Sequence, residues 1–192
     1  MFIHAWKKEV FTIPNILSLV RILLIPVYVT IYMNADTAQD YYLAASILAV
    51  SCLTDLIDGK IARHFNMIST LGKILDPIAD KLTQFTLTFC LSYRYPILRF
   101  LLVLFIVKEC FQGAMGLVHL RRGKMLPGAL TAGKVCTAVL FISLIILVLL
   151  PDLKGEIVNT ITMINIAFLS VSFLNYIFAY FGKNTKIQDL EE

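Results

Sequence analysis

Six stretches of this chain are each long and apolar enough to cross the roughly 30 Å hydrocarbon layer of a bilayer. They run over approximately 13–33, 41–63, 71–93, 98–120, 130–150 and 157–180. Inside lipid every backbone N–H and C=O needs a partner from its own segment, so runs of this kind are expected as helices. Breakers separate them: Asn34 to Asp36, Asn66, Tyr95 and Pro96, Gly123 to Gly128, and Pro151 with Asp152. Only 16% of the residues are charged, against about 25% in soluble domains. The expected fold class is all-α, an integral membrane protein of six transmembrane helices with an interfacial helix at the N-terminus. At 192 residues the length suits a single membrane domain over 1–192. Its parts would be the interfacial helix at 1–12, six spans within 13–180 and a tail at 181–192.

The start, MFIHAWKKEVF, places Phe2, Ile3, Trp6, Val10 and Phe11 at helical spacing, with Lys7, Lys8 and Glu9 largely off that face. This pattern suits a helix lying in the interface, with Trp6 as its anchor and the lysines toward anionic headgroups. It lacks the short apolar core of a cleavable signal, so none is expected. Cys52, Cys90, Cys110 and Cys136 are widely spaced in apolar runs. They read as small buried hydrophobes rather than as metal ligands or a disulfide framework.

Six spans put both termini on one side. That side receives Lys7, Lys8, Lys60, Arg63, Arg121, Arg122, Lys124, Lys183 and Lys186, while the other receives Arg94, Arg99 and Lys154. By the positive-inside bias both termini are cytoplasmic, as is the loop between the second and third spans. The expected location is the inner (cytoplasmic) membrane, multi-pass. No nucleic-acid partner is expected.

That loop belongs to a window unlike the rest: DLIDGKIARHFNMISTLGKILDPIADK, from Asp55 to Lys81. Each aspartate in hydrocarbon costs roughly 2.5–3.5 kcal/mol even on the lenient insertion scale, so something must compensate four of them. Asp55, Asp58, Gly59 and Ala62 share a stripe at the end of the second span. Gly72, Asp76 and Asp80 share one at the start of the third, at i, i+4 and i+8. The short connection makes the two helices antiparallel neighbours whose stripes can face one another. Four converging carboxylates repel unless cations lie among them, and an all-oxygen set without His or Cys suits Mg²⁺ or Mn²⁺, two ions in all. The glycines and Ala62 leave space beside them, and Arg63 is placed to pair with phosphate. Together these features point to a pyrophosphate substrate. Two other readings are open. One is a set of ion pairs with Lys60, Arg63, Lys73 or Lys81, of which the adjacent pair Asp80–Lys81 is a poor one. The other is a path for divalent cations, though the carboxylates cluster at one end of the bilayer rather than tracking through it.

The spacing Asp55, Asp58, Gly59, Ala62, Arg63, then Gly72, Asp76, Asp80 resembles the full signature of the CDP-alcohol phosphatidyltransferases. Pro14, Asn15 and Arg21 also look like the first segment of that family, and its interfacial helix plus six spans matches the arrangement expected here. The resemblance implies that Asp55, Asp58 and Asp76, with Asp80 beside them, bind two Mg²⁺ or Mn²⁺ ions. It implies that Gly59, Ala62, Arg63 and Gly72 line a CDP pocket and that Asp80 is the general base. The donor would be CDP-diacylglycerol, CMP the leaving group, and the enzyme a homodimer.

The acceptor is expected to meet the fourth and fifth spans. Lys108 and Glu109 lie mid-span, where charges are functional by default unless they neutralise each other. Arg121, Arg122, Lys124 and Lys134 crowd the cytoplasmic boundary, and Arg121, Lys134 and Lys108 are the expected ligands of an acceptor phosphate. This favours glycerol 3-phosphate. Family members using that acceptor usually resemble Arg-Glu and GK-x-K-T at these places, whereas this chain has Lys108-Glu109 and GKVCT, with Cys136 for the second lysine. The stretch from Leu120 to Thr137 also resembles members that use phosphatidylglycerol and form cardiolipin. Inositol-phosphate acceptors, a lipid-binding scaffold and a non-enzymatic divalent-cation carrier are further alternatives.

Overall fold

The computed structural model describes residues 12–64, 72–121, 124–125, 131–181 and 188–189. Among these residues it holds six helices: α1 Ile13–Met33, α2 Ala38–His64, α3 Gly72–Arg94, α4 Leu98–Leu120, α5 Thr131–Leu149 and α6 Gly155–Phe181. Four of them, α1, α4, α5 and α6, are long and apolar enough to cross a membrane. Helices α2 and α3 have comparable length but carry the charged window. The expected interfacial helix falls on residues outside those described.

Helix ends follow local chemistry. Thr12 is extended (φ −83°, ψ 151°) ahead of α1. Pro14 sits in the first turn, where a missing N–H costs nothing. At the other end, the Asn34 side chain donates to the Thr30 carbonyl at 2.7 Å, capping a carbonyl the helix would leave unmet. Helix α2 opens on one arm of a capping box: Asp40 accepts from the Thr37 backbone N–H at 2.9 Å, and also from the Thr37 hydroxyl at 2.8 Å. The Thr37 hydroxyl, then its N–H, holds the exposed Asp40 carboxyl below the usual carboxylate range.

The chain divides into two compact units. The first contains α1, α2, α3 as far as Cys90, and Val148–Pro151. Its core includes Tyr28, Tyr32, Ala44, Ala45, Leu48, Ala79 and Leu87, all buried. The two adjacent alanines on α2 present no bulk to their neighbours, which is how membrane helices approach closely. Tyr28 stacks on Tyr32 at 5.6 Å, and Tyr32 meets Tyr41 edge-on at 5.4 Å, tying the end of α1 to the start of α2.

The second unit runs over Leu91–Leu147 and from Asp152 onward. Helix α6 buries Val158, Thr162, Asn165, Leu169, Ser172 and Tyr176, a stripe of alternating fours and threes that keeps one face inward. Phe111 of α4 packs against Phe173 at 5.3 Å and Tyr180 at 6.1 Å, joining α4 to α6. A two-residue antiparallel pairing sets Lys124 opposite Asp189 and Met125 opposite Gln188. Residues 188–189 therefore lie beside residues 124–125, a pairing no sequence pattern announced.

Burial is inverted relative to a soluble domain. Leu23, Phe100, Val103, Met163, Phe178 and Phe181 are each at least 60% exposed, while Ser18, Thr88, Thr162 and Ser172 are at most 1% exposed. Apolar side chains outside and polar ones inside are what a lipid environment selects. The chain is a membrane protein.

Candidate functional site

The site grows from one face of α3. Gly72 is buried at the start of this helix, and Asp76 and Asp80 follow at one-turn intervals, both partly exposed. Pro77 lies between them, so position 77 offers no N–H to the carbonyl of Lys73 and the ladder is interrupted beside the carboxylates.

Helix α1 supplies their partners. Asn15, Ser18 and Arg21 recur every three residues and are 3%, 0% and 2% exposed. The Ser18 hydroxyl donates to Asp76 Oδ1. Arg21 Nη1 donates to Asp80 Oδ1 at 2.7 Å, with side-chain exposures of 3% for Arg21 and 49% for Asp80. A lone guanidinium in a spanning helix would be expensive, and this ion pair explains how α1 accommodates one. In the sequence Arg21 stands out only as part of the first segment, and Ser18 does not stand out at all. Polar residues at a period of three in an apolar span are the signal that could have found both.

Asp55, Asp58, Gly59, Ala62 and Arg63 lie on the closing turns of α2, which ends at His64; their side chains are outside the described residues. The connection at 65–71 is outside them as well. Among the described residues no three His, Cys, Asp or Glu side chains gather into a metal-binding group. The pair that is placed, Asp76 and Asp80, supplies only carboxylate oxygens, which is the donor chemistry of a hard divalent ion.

Beyond the carboxylates, toward the middle of the first unit, Leu24, Tyr28, Leu48, Thr83 and Leu87 line a small apolar cleft of about 20 Å³. Leu24 lies one turn on from Arg21, and Thr83 one turn on from Asp80. The cleft is thus contiguous along both helices with the polar contacts.

The second unit holds the residues expected to meet the acceptor. Lys108 is 2% exposed. It pairs with adjacent Glu109 at 2.7 Å and stands 5.8 Å from the centroid of the Tyr176 ring. Sequence-adjacent side chains start on different sides of a helix, yet these two are long enough to meet, so mutual neutralisation is what the structure shows for them. Arg121 ends α4 and is exposed, its N–H donating to the Leu117 carbonyl at 3.0 Å. Lys134 is exposed in the first turn of α5. A cation there opposes the helix dipole, a placement that a nearby anion would relieve. Cys136 is 1% exposed.

Gly133, beside Lys134, is the closest backbone approach in this unit among the described glycines. A methyl group built there would lie 2.6 Å from the Tyr176 hydroxyl. That contact locks the first turn of α5 against α6.

Comparison with known proteins agrees with this arrangement. Residues 11–172 match the family described as CDP-alcohol phosphatidyltransferase. A CMP-forming cardiolipin synthase of Streptomyces coelicolor is 32% identical over 162 residues, covering 83% of this chain and 75% of that protein. A CDP-diacylglycerol–glycerol-3-phosphate 3-phosphatidyltransferase of Rickettsia bellii is 45% identical over 71 residues, covering 36% of this chain and 38% of that protein. In Schizosaccharomyces pombe, a cardiolipin synthase–mitochondrial hydrolase fusion protein is 40% identical over 90 residues, which cover 46% of this chain and 14% of the fusion. With a match to the family over most of its length, and to one relative over most of both chains, the chain belongs to the CDP-alcohol phosphatidyltransferase family.

Proposed function

We propose that this protein transfers the phosphatidyl group of CDP-diacylglycerol to glycerol 3-phosphate and releases CMP. The observation that carries the reading is the Asp76–Asp80 pair of α3, backed by buried polar side chains of α1 at the places the family signature requires.

The acceptor hydroxyl attacks the phosphorus bearing diacylglycerol. A new oxygen–phosphorus bond forms, the pyrophosphate bond to CMP breaks, and the hydroxyl proton passes to Asp80. Gly59, Ala62 and Gly72 leave room for the nucleotide, and Arg63 pairs with its phosphate. Asp55, Asp58 and Asp76 would hold two Mg²⁺ or Mn²⁺ ions, with Asp80 adjoining, and such ions neutralise pyrophosphate and leaving-group charge. Arg121, Lys134 and Lys108 bind the acceptor phosphate. The unit of function is one membrane domain over 1–192. Six helices cross the inner membrane, both termini and the active face are cytoplasmic, and the assembly is a homodimer.

Phosphatidylglycerol is the second acceptor reading, and a specific observation favours it. The 162-residue match, which is long enough to take in both α4 and α5, is to a protein named cardiolipin synthase. The 71-residue match to a glycerol-3-phosphate enzyme is too short to hold both Asp55 and Lys134. Cys136 in place of a lysine points the same way.

The test is purified protein with CDP-diacylglycerol, Mg²⁺ and a panel of acceptors, read by mass spectrometry of the lipid product. Phosphatidylglycerophosphate as the product supports the first reading, and cardiolipin the second. EDTA should abolish CMP release in either case; undiminished release in chelator would refute the metal assignment.

A further inference from the structure

The polar stripe of α3 does not end at Asp80. Gln84 follows at the same four-residue interval, and Thr88 follows Gln84, on the face that carries Asp76 and Asp80. Gln84 is 2% exposed, and its amide oxygen Oε1 is buried with no hydrogen-bond partner. Building on the transfer reading above, we infer that Gln84 is a specificity-determining residue. Its amide reads the second, non-reacting hydroxyl of a polyol acceptor whose first hydroxyl meets Asp80.

An amide buried this deeply is costly unless its hydrogen bonds are made. Native structures rarely leave a buried acceptor unmet, and those that do often keep it for a group that arrives in use. The hydroxyls nearest along α3 are spent elsewhere. The Thr88 hydroxyl donates to the backbone carbonyl of Gln84 at 2.8 Å, and the Thr83 hydroxyl donates to the carbonyl of Ala79 at 2.8 Å. Both are the bonds that threonine makes to its own helix. Among the described residues, nothing donates to the Gln84 oxygen.

Chemistry and register narrow what answers it. Oε1 accepts, so the missing group carries an O–H or an N–H. The diacylglycerol half of the donor has neither. Its nucleotide has both, but the expected nucleotide residue on α3 is Gly72, and Gln84 lies on the other side of Asp80. The acceptors weighed above are all polyols, so each brings a further hydroxyl besides the one that reacts. Gln84 stands about 6 Å beyond Asp80 along the axis, from the 1.5 Å rise per residue. Side chains lean toward the N-terminus of their helix, so Gln84 leans back toward Asp80. The Asp80 side chain is 49% exposed, and an acceptor reaches the stripe from that end. A hydrogen bond that only the right hydroxyl makes selects a substrate, because an analogue without it leaves the amide unmet.

Calorimetric binding to the purified full chain in micelles with Mg²⁺ tests this without turnover. Matched pairs serve as probes. One is glycerol 3-phosphate against 3-hydroxypropyl phosphate, which lacks the second hydroxyl. The other is short-chain phosphatidylglycerol against the same lipid with a 3-hydroxypropyl headgroup. In the pair that matches the acceptor, the member with the second hydroxyl should bind roughly five- to tenfold tighter, as one neutral hydrogen bond allows. Gln84→Met keeps the volume and removes the amide. In that variant the two members should bind within about twofold of each other, with the weaker one unchanged, the signature of a lost pairwise contact. A merely structural glutamine would weaken both members alike. Mn²⁺ affinity, read by the electron paramagnetic resonance of the free ion, should stay within about threefold in Gln84→Met, since a lost metal ligand costs about tenfold or more. The inference is overturned if wild type shows no preference in either pair, if Gln84→Met keeps the preference or weakens both members alike, or if it loses Mn²⁺ as a ligand variant would. Should Gln84→Met fail to fold, Gln84→Asn withdraws the amide by one carbon and should lose the preference; keeping it would overturn the assignment. Wild type that shows the preference but releases no CMP would refute the transfer reading and leave Gln84 as the reader of the hydroxyl.

Discussion

A single methyl group at Gly133 is the sharpest available probe of the second unit. A Cβ placed on the backbone there lies 2.6 Å from the Tyr176 hydroxyl, 3.0 Å from its Cε2 and 3.2 Å from its Cζ. The hydroxyl is the far end of its side chain, but two ring atoms are also too close, so the whole ring has to move. Tyr176 is 5% exposed and packed, and its ring stands beside the Lys108 ammonium. Overpacking of this kind costs about 1–3 kcal/mol. Replacing a helical glycine by alanine returns roughly 0.5–1 kcal/mol. The net loss for Gly133→Ala is therefore centred near about 1 kcal/mol, within about 0–2.5, and at the central value the melting point falls by roughly 2–4 °C for a chain of this size. Thermal unfolding can be followed with a cysteine-reactive dye, since Cys136 on the same helix is 1% exposed until the fold opens. Adding Tyr176→Phe to Gly133→Ala deletes the tightest contact and should restore more than half of the loss, whereas independent sites would simply add. A Gly133→Ala protein that melts with wild type, or a double variant no better than the single one, would refute the locked contact between α5 and α6.

Two other substitutions test the flanks. Arg121→Ala and Lys134→Ala should each raise the acceptor KM by roughly ten- to a hundredfold, because a charge-assisted hydrogen bond is worth about 1.5–3 kcal/mol and a decade about 1.4. The CDP-diacylglycerol KM should move much less, and equal shifts in both would place these cations elsewhere. Asp40 has its folded pKa lowered by Thr37, so its contribution is present above the unfolded carboxylate pKa and is lost as pH falls through the folded value. Hydrogen-exchange protection factors at the first turn of α2 should therefore fall in acid in wild type. Asp40→Ala should show low protection at every pH, and a pH-independent difference of zero between the two would rule out this cap.

The helices were legible because lipid leaves few options. The runs at 13–33 and 98–120 coincide with α1 and α4, since apolar length and flanking breakers fix both ends. Helix α2 begins at Ala38 rather than 41 because Thr37 and Asp40 cap it, and a rule that looks for apolar residues passes over polar caps. The aspartate stripe on α3 was legible from its spacing of four. Its partners were not: Ser18 and Arg21 lie 58 and 59 residues away from the carboxylates they serve, and periodicity within one helix carries no information about which helix lies opposite. The same limit hid the pairing of Lys124 with Asp189. Lys108 and Glu109 announced themselves as charges in an apolar span, but only the folded helix shows that they pair with each other.

Everything proposed for the site depends on the phosphorus bearing diacylglycerol being the one attacked. CDP-diacylglycerol labelled with ³²P at that phosphorus, incubated with the purified protein, Mg²⁺ and either acceptor, reports on it directly. All transferred label should appear in the new phospholipid, and the released nucleotide should be unlabelled CMP, one per lipid formed. Label leaving with the nucleotide, or no label transferred to any acceptor, would contradict the transfer mechanism.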